Sequence, residues 1–268
     1  MELSIIITSY KNPELLKVCI DSIKRNYTGT DYEIIVADSA TEEKTAMMMR
    51  EDYPAIKFFP SQENIGFSRT VNAGLTAMQG EFALILNGDI IIKKDSIEKL
   101  LDFVKNNPTV GIAGPQLLNF NDTLQSSCFH FYTPLTIAYR RTFLGKFGFA
   151  KKHIDWFTMK NTDHGKTQDV DWIMGSSLMT SKQAIEKVGP MDDTFRLYFE
   201  DTDWCRRFWE NDYRVVFFPE ARMYHYHGRG SVGKNVFQSL LLNKLTWIHI
   251  QSAFTYFWKY AGKKNPRY

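Results

Sequence analysis

The strongest constraint on this chain is an alternation of short β-branched runs with amphipathic helical periods through its first third. Residues 3–8, 32–37, 56–59 and 82–86 are apolar runs of strand length. Between them, residues 15–25 place Leu15, Leu16, Cys19, Ile20 and Ile23 at helical spacing, and residues 67–78 continue helically to a stop at Gly80. Strands alternating with helices imply a mostly parallel sheet with helices on both faces. Such sheets bind ligands at the carboxyl ends of their strands. Three polar clusters fall at those ends: residues 8–10, Asp38-Ser39, and Asn87-Gly88-Asp89.

The rest of the composition sets limits. With 44% hydrophobic and 24% charged residues in 268, the chain has material for a sizeable core and is not compositionally disordered. A net charge of +3 without a concentrated basic stripe excludes a dedicated nucleic-acid binder. The cysteines Cys19, Cys128 and Cys205 are scattered and odd in number, so they encode neither a disulfide framework nor a zinc site. A reducing, cytoplasmic setting is expected. The N-terminus turns polar at once, unlike a signal peptide, and no run reaches the ~20 apolar residues that span a bilayer.

The second half is less regular. Residues 126–166 are rich in aromatic and basic residues without a clear period, a pattern of long loops with short helices. Order resumes over 170–180, 184–188 and 202–210, followed by a strand at 213–218 and a helical tail at 236–260. The expected organisation is a catalytic domain over 1–235, with nucleotide-binding (1–115) and acceptor-binding (116–235) parts, and a C-terminal helical extension over 236–268.

Three groups of residues have the right chemistry for a site. Asp89 ends a buried strand, where a carboxylate can hold Mg²⁺ or Mn²⁺ against a diphosphate and Gly88 allows close approach. An ordinary Asn-Gly-Asp turn is the competing reading. Glu200 and Asp201 sit among aromatic residues, whose desolvation raises a carboxylate toward useful base strength. A helix start capped by Asp201 is compatible with that role. His225 and His227 flank Tyr226, and alternation along a strand puts them on opposite faces, so one of the two is expected to ligate metal. Arg229, between Gly228 and Gly230, suits a lid that touches phosphates.

In this order the pieces resemble family two glycosyltransferases of the rhamnosyltransferase-like branch. The resemblance covers residues 3–231. It is carried by the motif at residues 7–12, Asp38-Ser39, Asn64-Ile65-Gly66-Phe67-Ser68 with Asn72 and Gly74, Asn87-Gly88-Asp89, Asp171-Trp172 with Gly175, Val188-Gly189-Pro190, the Glu200-Asp201-x-Asp203-x-Cys205-x-Arg207 block extending through Arg206, and His225. It implies a glycosyltransferase A fold, a Rossmann-like nucleotide half joined to an acceptor half. It implies that Thr8, Tyr10 and Asp38 face the base and ribose, and that Asn64, Gly66, Phe67 and Asn72 border the donor. Asn87, Gly88 and Arg229 would also meet the nucleotide sugar. Asp89 and a histidine would hold the metal, Asp201 would be the base beside Glu200, and Asp171, Trp172 and Gly175 would line the acceptor pocket.

The family's usual first aspartate of the metal motif is Asn87 here, so metal binding is expected to lean on Asp89, a histidine and the diphosphate itself. The implied activity is inverting transfer of a sugar such as rhamnose from a dTDP- or UDP-linked donor to a glycan or lipid-linked acceptor. The basic, aromatic tail over 240–268 suits an anionic membrane surface, and equally packing on the domain or in a homodimer. A sugar nucleotidyltransferase would show a glycine-rich basic loop after the first strand, and a nicotinamide dehydrogenase Gly-x-Gly-x-x-Gly; both are absent. A non-catalytic nucleotide-sugar-binding protein would not need Glu200 and Asp201.

Overall fold

A computed structural model describes residues 1–226 and 244–267, apart from the Lys244 side chain. The predicted alternation is present as β1 (Leu3–Ser9), α1 (Pro13–Asn26), β2 (Tyr32–Ser39), α2 (Glu43–Asp52), β3 (Lys57–Ser61), α3 (Phe67–Ala77) and β4 (Phe82–Asn87). β1, β2, β3 and β4 pair in parallel, in the spatial order β3-β2-β1-β4. Beyond β4 the sheet continues through β10 (Ser177–Ser181), β6 (Val110–Leu118) and β11 (Arg214–His225) to β5 (Ile90–Ile92), with β8 (Gln168–Asp169) on β11. β10 runs antiparallel between β4 and β6, and β11 returns to parallel pairing with β6.

The strands read as continuous apolar runs because both faces are covered. In β1, Leu3, Ile5 and Ile7 face one core while Ile6 faces the other. The same alternation divides Leu84 and Leu86 from Ala83 and Ile85 in β4. One face is closed by Leu16, Ile20 and Ile23 of α1 and by Ile97, Leu100 and Val104 of α4 (Ser96–Asn106). The other is closed by Val71 of α3, Ala184 of α7 (Lys182–Val188), and Trp204, Cys205 and Phe208 of α8 (Glu200–Glu210).

One stretch departs from sequence expectation, and two others gain detail. The strand expected to end at residue 218 runs on to His225, because a register shift between Phe218 and Arg222 absorbs Pro219 and lets pairing with β6 resume. The ordered stretch 170–180 is two strands, β9 (Trp172–Ile173) and β10, separated by a turn at Gly175. Residues 126–166 hold β7 (Cys128–Phe129), paired with β9, and the helices α5 (Pro134–Arg141) and α6 (Gly148–Phe157).

In the tail, α9 (Lys244–Lys259) packs back on the preceding chain. Ala253, Tyr256 and Tyr260 form a third core with Phe195 and Phe199. The segment after α9 is tied down by polar bonds. Tyr260 donates to Asp203 at 2.8 Å, Arg206 donates to the Lys264 carbonyl at 2.8 Å, and Arg267 pairs with Asp171 at 2.5 Å. No helix of the described residues is long and apolar enough to cross a membrane.

Candidate active site

The carboxyl ends of β1, β2 and β4 open onto a cavity of about 790 Å³, within the range that holds a drug-sized or nucleotide-sized ligand. Of the residues expected at the donor, Thr8, Tyr10, Asn64, Gly66, Phe67, Asn87, Gly88 and Asp89 line it. Thr8 donates to the Asn87 side chain at 3.2 Å, which joins two strand ends across the floor. Ser39, Arg196 and Leu197 add further walls, and α9 closes the space with Leu245, Ile248, Gln251, Ser252 and Thr255. That helical wall is the part of the cavity sequence motifs did not indicate.

Asp38 stands behind Ser39 and is 1% exposed. Among the described residues neither oxygen has a well-formed hydrogen bond, although the Ser9 and Thr41 hydroxyls lie close, and burial pushes its carboxyl above the usual range. A buried carboxylate without a donor at a cavity's edge suits a ligand N–H or hydroxyl. Asn72 is placed differently from expectation. Its side chain makes reciprocal bonds with the Met191 backbone, at 2.8 and 3.0 Å, and it does not line the cavity.

Gly66 turns the chain into α3 with φ of +85°, and a Cβ there would stand 2.5 Å from the Arg196 carbonyl oxygen. Asn64 accepts from the Gly66 N–H at 3.0 Å and fixes the loop. Gly66→Ala is therefore expected to destabilise by about 1–3 kcal/mol from backbone strain alone, before the clash is added. Thermal melting checks this, and an unchanged melting temperature would refute it.

Asp201 sits in the first turn of α8. Its carboxylate accepts from the Gly175 N–H at 3.0 Å and from the Thr202 N–H at 2.8 Å. Gly175 is squeezed between Phe67 and Asp201: an added Cβ would come within 3.1 Å of the ring and 3.3 Å of the Asp201 Cβ. Phe67 is thus the link from the cavity to the acid. Burial raises Asp201 to about 6, and the backbone bonds from Gly175 and Thr202 hold it from rising further. Glu200 is 5% exposed with one oxygen unpartnered, and burial together with Asp201 pushes it well above the carboxylate range. Two neighbouring carboxyls are thus both driven upward, and backbone donors bond the Asp201 carboxylate.

The cap of α8 is Phe199 rather than Asp201. Tyr198 and Phe199 both have φ of +70°, a left-handed pair unusual for bulky residues. Packing sustains the strain, since the Phe199 ring lies 4.4 Å from Tyr132 and 5.3 Å from Tyr256. Asp203, the third acid of the block, is fully buried and saturated by Arg207, Tyr260 and Lys259 at 2.7–2.9 Å. It holds the C-terminal segment and is not available as a base.

Asp171 and Trp172 likewise face inward. Asp171 is 1% exposed and receives Arg267, the Phe131 N–H and His130. Burial would raise its carboxyl, but the bonds from His130, Phe131 and Arg267 hold it below the usual range. Trp172 donates to the His130 carbonyl at 2.8 Å. Neither lines the cavity.

Asp89 lies across from His225, with Oδ1 to Nε2 at 3.4 Å. His225 Nδ1 meets the Gln125 Oε1 at 2.6 Å, and the Gln125 amide nitrogen donates to Asn119 at 3.1 Å. The carboxamide oxygen therefore receives the Nδ1 proton, which leaves the neutral ring's lone pair on Nε2. Asp89 Oδ1 is buried without a hydrogen-bond partner. A carboxylate and an imidazole lone pair facing one another fit a hard divalent cation. Among the described residues no group of three or more His, Cys, Asp or Glu side chains gathers around one point, so further ligands would come from a diphosphate. His227 and Arg229 lie outside the described residues.

Residues 4–169 carry the sequence pattern described as Glycosyl transferase family 2. The chain belongs to this family. Among curated relatives, it is 24% identical over 246 residues to the N-acetylglucosaminyl-diphospho-decaprenol L-rhamnosyltransferase of Mycobacterium tuberculosis, covering 87% of this chain and 78% of that one. It is 25% identical to the rhamnosyltransferase WbbL of Escherichia coli K12, covering 94% and 91% of the two chains. Its fold is similar to that of the mannosyltransferase PcManGT of Pyrobaculum calidifontis, solved with GDP-Man and Mn²⁺, with a TM-score of 0.60, 17% identity, and coverage of 99% and 76%. It is also similar to GalNAc-T7, solved with UDP, GalNAc and Mn²⁺, with a TM-score of 0.64 and 15% identity, covering 87% of this chain and 45% of that one. The glycosyltransferase A architecture and the family two assignment expected from sequence are thus both found.

Proposed function

We propose that this family two glycosyltransferase moves rhamnose, or a related hexose, from a deoxythymidine or uridine diphosphate donor to a lipid-linked glycan acceptor, with inversion. The observation that carries the reading is Asp201, a carboxyl raised to about 6 and fixed by two backbone N–H groups one ring away from a nucleotide-sized cavity. A base near that value is largely ionised at neutral pH yet basic enough to take a hydroxyl proton in the transition state.

In this reading the donor base and ribose lie along Thr8, Tyr10 and Asp38, and the diphosphate is directed to Asp89 and His225. A divalent cation held there would supply charge stabilisation for the departing diphosphate. The acceptor oxygen forms its bond to the anomeric carbon as the bond to the diphosphate breaks, and Asp201 takes the hydroxyl proton. Glu200, whose carboxyl burial and Asp201 push upward, resists adding a second negative charge beside the base.

The lipid-linked acceptor is supported by the decaprenol-linked substrate in the name of the mycobacterial relative. The exposed stripe Trp247, Phe254 and Trp258, next to the cavity face of α9, gives the protein an apolar strip beside the site. With the exposed Lys263 and Lys264 it suits an anionic membrane surface, which supports a reaction at the inner face of the membrane.

The test is a panel of nucleotide sugars with Mn²⁺ or Mg²⁺, read by thermal shift, nucleoside diphosphate release and the anomeric configuration of the product. One donor that stabilises the protein and yields an inverted product is the expected result. A retained configuration would overturn the base role of Asp201, and no nucleoside diphosphate binding at all would overturn the donor assignment.

A further inference from the structure

The end of α5 carries two adjacent arginines, Arg140 and Arg141, for which the donor site has no use. Arg140 donates to the Tyr132 hydroxyl at 3.1 Å, and its guanidinium lies over the Phe157 ring at 5.4 Å. Arg141 is half-buried, and among the described residues no carboxylate pairs with either one. Burial and the neighbouring Arg140 pull the Arg141 pKa down, as expected for cations that lack a counter-ion. Next to them, His249 of α9 is 5% exposed with Nδ1 unpartnered. Burial, then Arg141 and Arg140, push it down to about 3, so it is a neutral hydrogen-bonding group. The rings of Tyr198 and Tyr132 stand 5.0 and 6.3 Å from it. Tyr132 in turn packs on Phe199, the residue before Glu200-Asp201.

A half-buried arginine beside a second, exposed one, with the buried His249 Nδ1 unpartnered among the described residues, makes a cationic cluster that suits an anion. The surface beyond them is apolar and basic. Phe143, Phe147 and Phe149 are 66%, 49% and 58% exposed, Lys146, Lys151 and Lys152 lie among them, and no acidic residue occurs over 133–154. Two copies of so cationic a face repel one another, which argues against self-association through it. We infer that Arg140, Arg141 and His249 form a subsite for the phosphate head of an amphiphilic phosphate ester, whose chain leaves along the exposed phenylalanines. This rests on the lipid-linked acceptor proposed above, and it identifies where the lipid phosphate is held relative to Asp201.

The test uses the whole protein saturated with nucleoside diphosphate and titrated with farnesyl diphosphate below its micellar concentration, with inorganic pyrophosphate, farnesol and phosphatidylglycerol vesicles as parallel arms. Farnesyl diphosphate is expected to bind without displacing the nucleotide, and more tightly than pyrophosphate or farnesol. Arg140→Gln with Arg141→Gln should weaken it about 10–100-fold, the worth of one or two charge-assisted contacts. Nucleotide affinity should hold, because neither arginine lines the donor cavity. Arg140→Lys with Arg141→Lys should recover part of the affinity. Vesicle binding that disappears in the Gln variant, without farnesyl diphosphate binding, would give the same phosphate subsite to membrane headgroups. Undiminished affinity in a folded Gln variant, or full competition by the nucleotide, would overturn the assignment. Nucleotide binding with neither lipid arm binding removes this subsite but leaves the transferase reading standing; absence of nucleotide binding removes that reading itself.

Discussion

Asp201→Asn is expected to lower turnover by about 10²–10⁴-fold, the scale of a lost general base, while nucleoside diphosphate affinity stays within error of the parent. The separation follows from position. Asp201 touches Gly175 and Thr202 and is not among the cavity-lining residues. Stability should change little, for two opposed reasons. Burial raises the pKa values of Asp201 and Glu200 in the folded state. Such groups favour folding fully below the unfolded carboxyl value of about 4, and that contribution is lost as pH climbs through the folded value. At neutral pH an ionised Asp201 is therefore a cost that Asn removes. Against this, one Asn amide oxygen cannot serve both backbone donors, a loss of about 1 kcal/mol. Melting should then shift by no more than about 4 °C for a chain of this size.

As the proposed base, Asp201 should also govern the pH profile. Turnover of the parent enzyme should rise with pH through about 6 as Asp201 ionises, and level off above it. Rates measured with saturating donor from pH 5 to 8 check this. A profile flat through that range would remove Asp201 as the titrating base. Normal turnover in the Asn variant would point to Glu200, because Asp203 is already saturated by Arg207, Tyr260 and Lys259.

Legibility from sequence tracks how local each feature is. The β1–β4 half was readable because strands buried on both faces are continuous apolar runs, and their ends announce themselves through Thr8, Asp38 and Asn87-Gly88-Asp89. The Glu200-Asp201 pair was readable because its aromatic neighbours are adjacent in sequence. Contacts across long separations were not. Asn72 looks like a donor contact but is consumed by Met191, 119 positions away. Asp171 looks like an acceptor contact but is met by Arg267, 96 positions away. The strand was expected to end at 218, and only the partner strand β6 shows that a bulge carries β11 on to His225. α9 read as a basic, aromatic helix with no sign of which face would wall the cavity. Gln125 had no motif at all, being one polar residue in an irregular stretch, yet it sets the tautomer of His225.

Asp89→Ala should abolish the enhancement of nucleoside diphosphate binding by Mn²⁺ and lower turnover roughly a thousandfold, the rate equivalent of about 4 kcal/mol. Asp89 Oδ1 and His225 Nε2 stand 3.4 Å apart. This separation exceeds an ordinary N–H···O hydrogen bond, and the Nδ1 contact with Gln125 puts the neutral ring's proton on the far side. If the two groups serve one ion, Asp89→Ala and His225→Ala should be strongly non-additive, the double variant losing little more than either single one. Gln125→Ala, which touches no ion, should still weaken Mn²⁺-dependent binding about 10–100-fold, because it releases the ring orientation and tautomer. With chelator present, all four proteins should bind nucleoside diphosphate alike. If the pair were only a structural ion pair, the outcome would differ in kind. Asp89→Ala would lower the melting temperature, leave the Mn²⁺ enhancement intact, and show Gln125→Ala to be indifferent to metal.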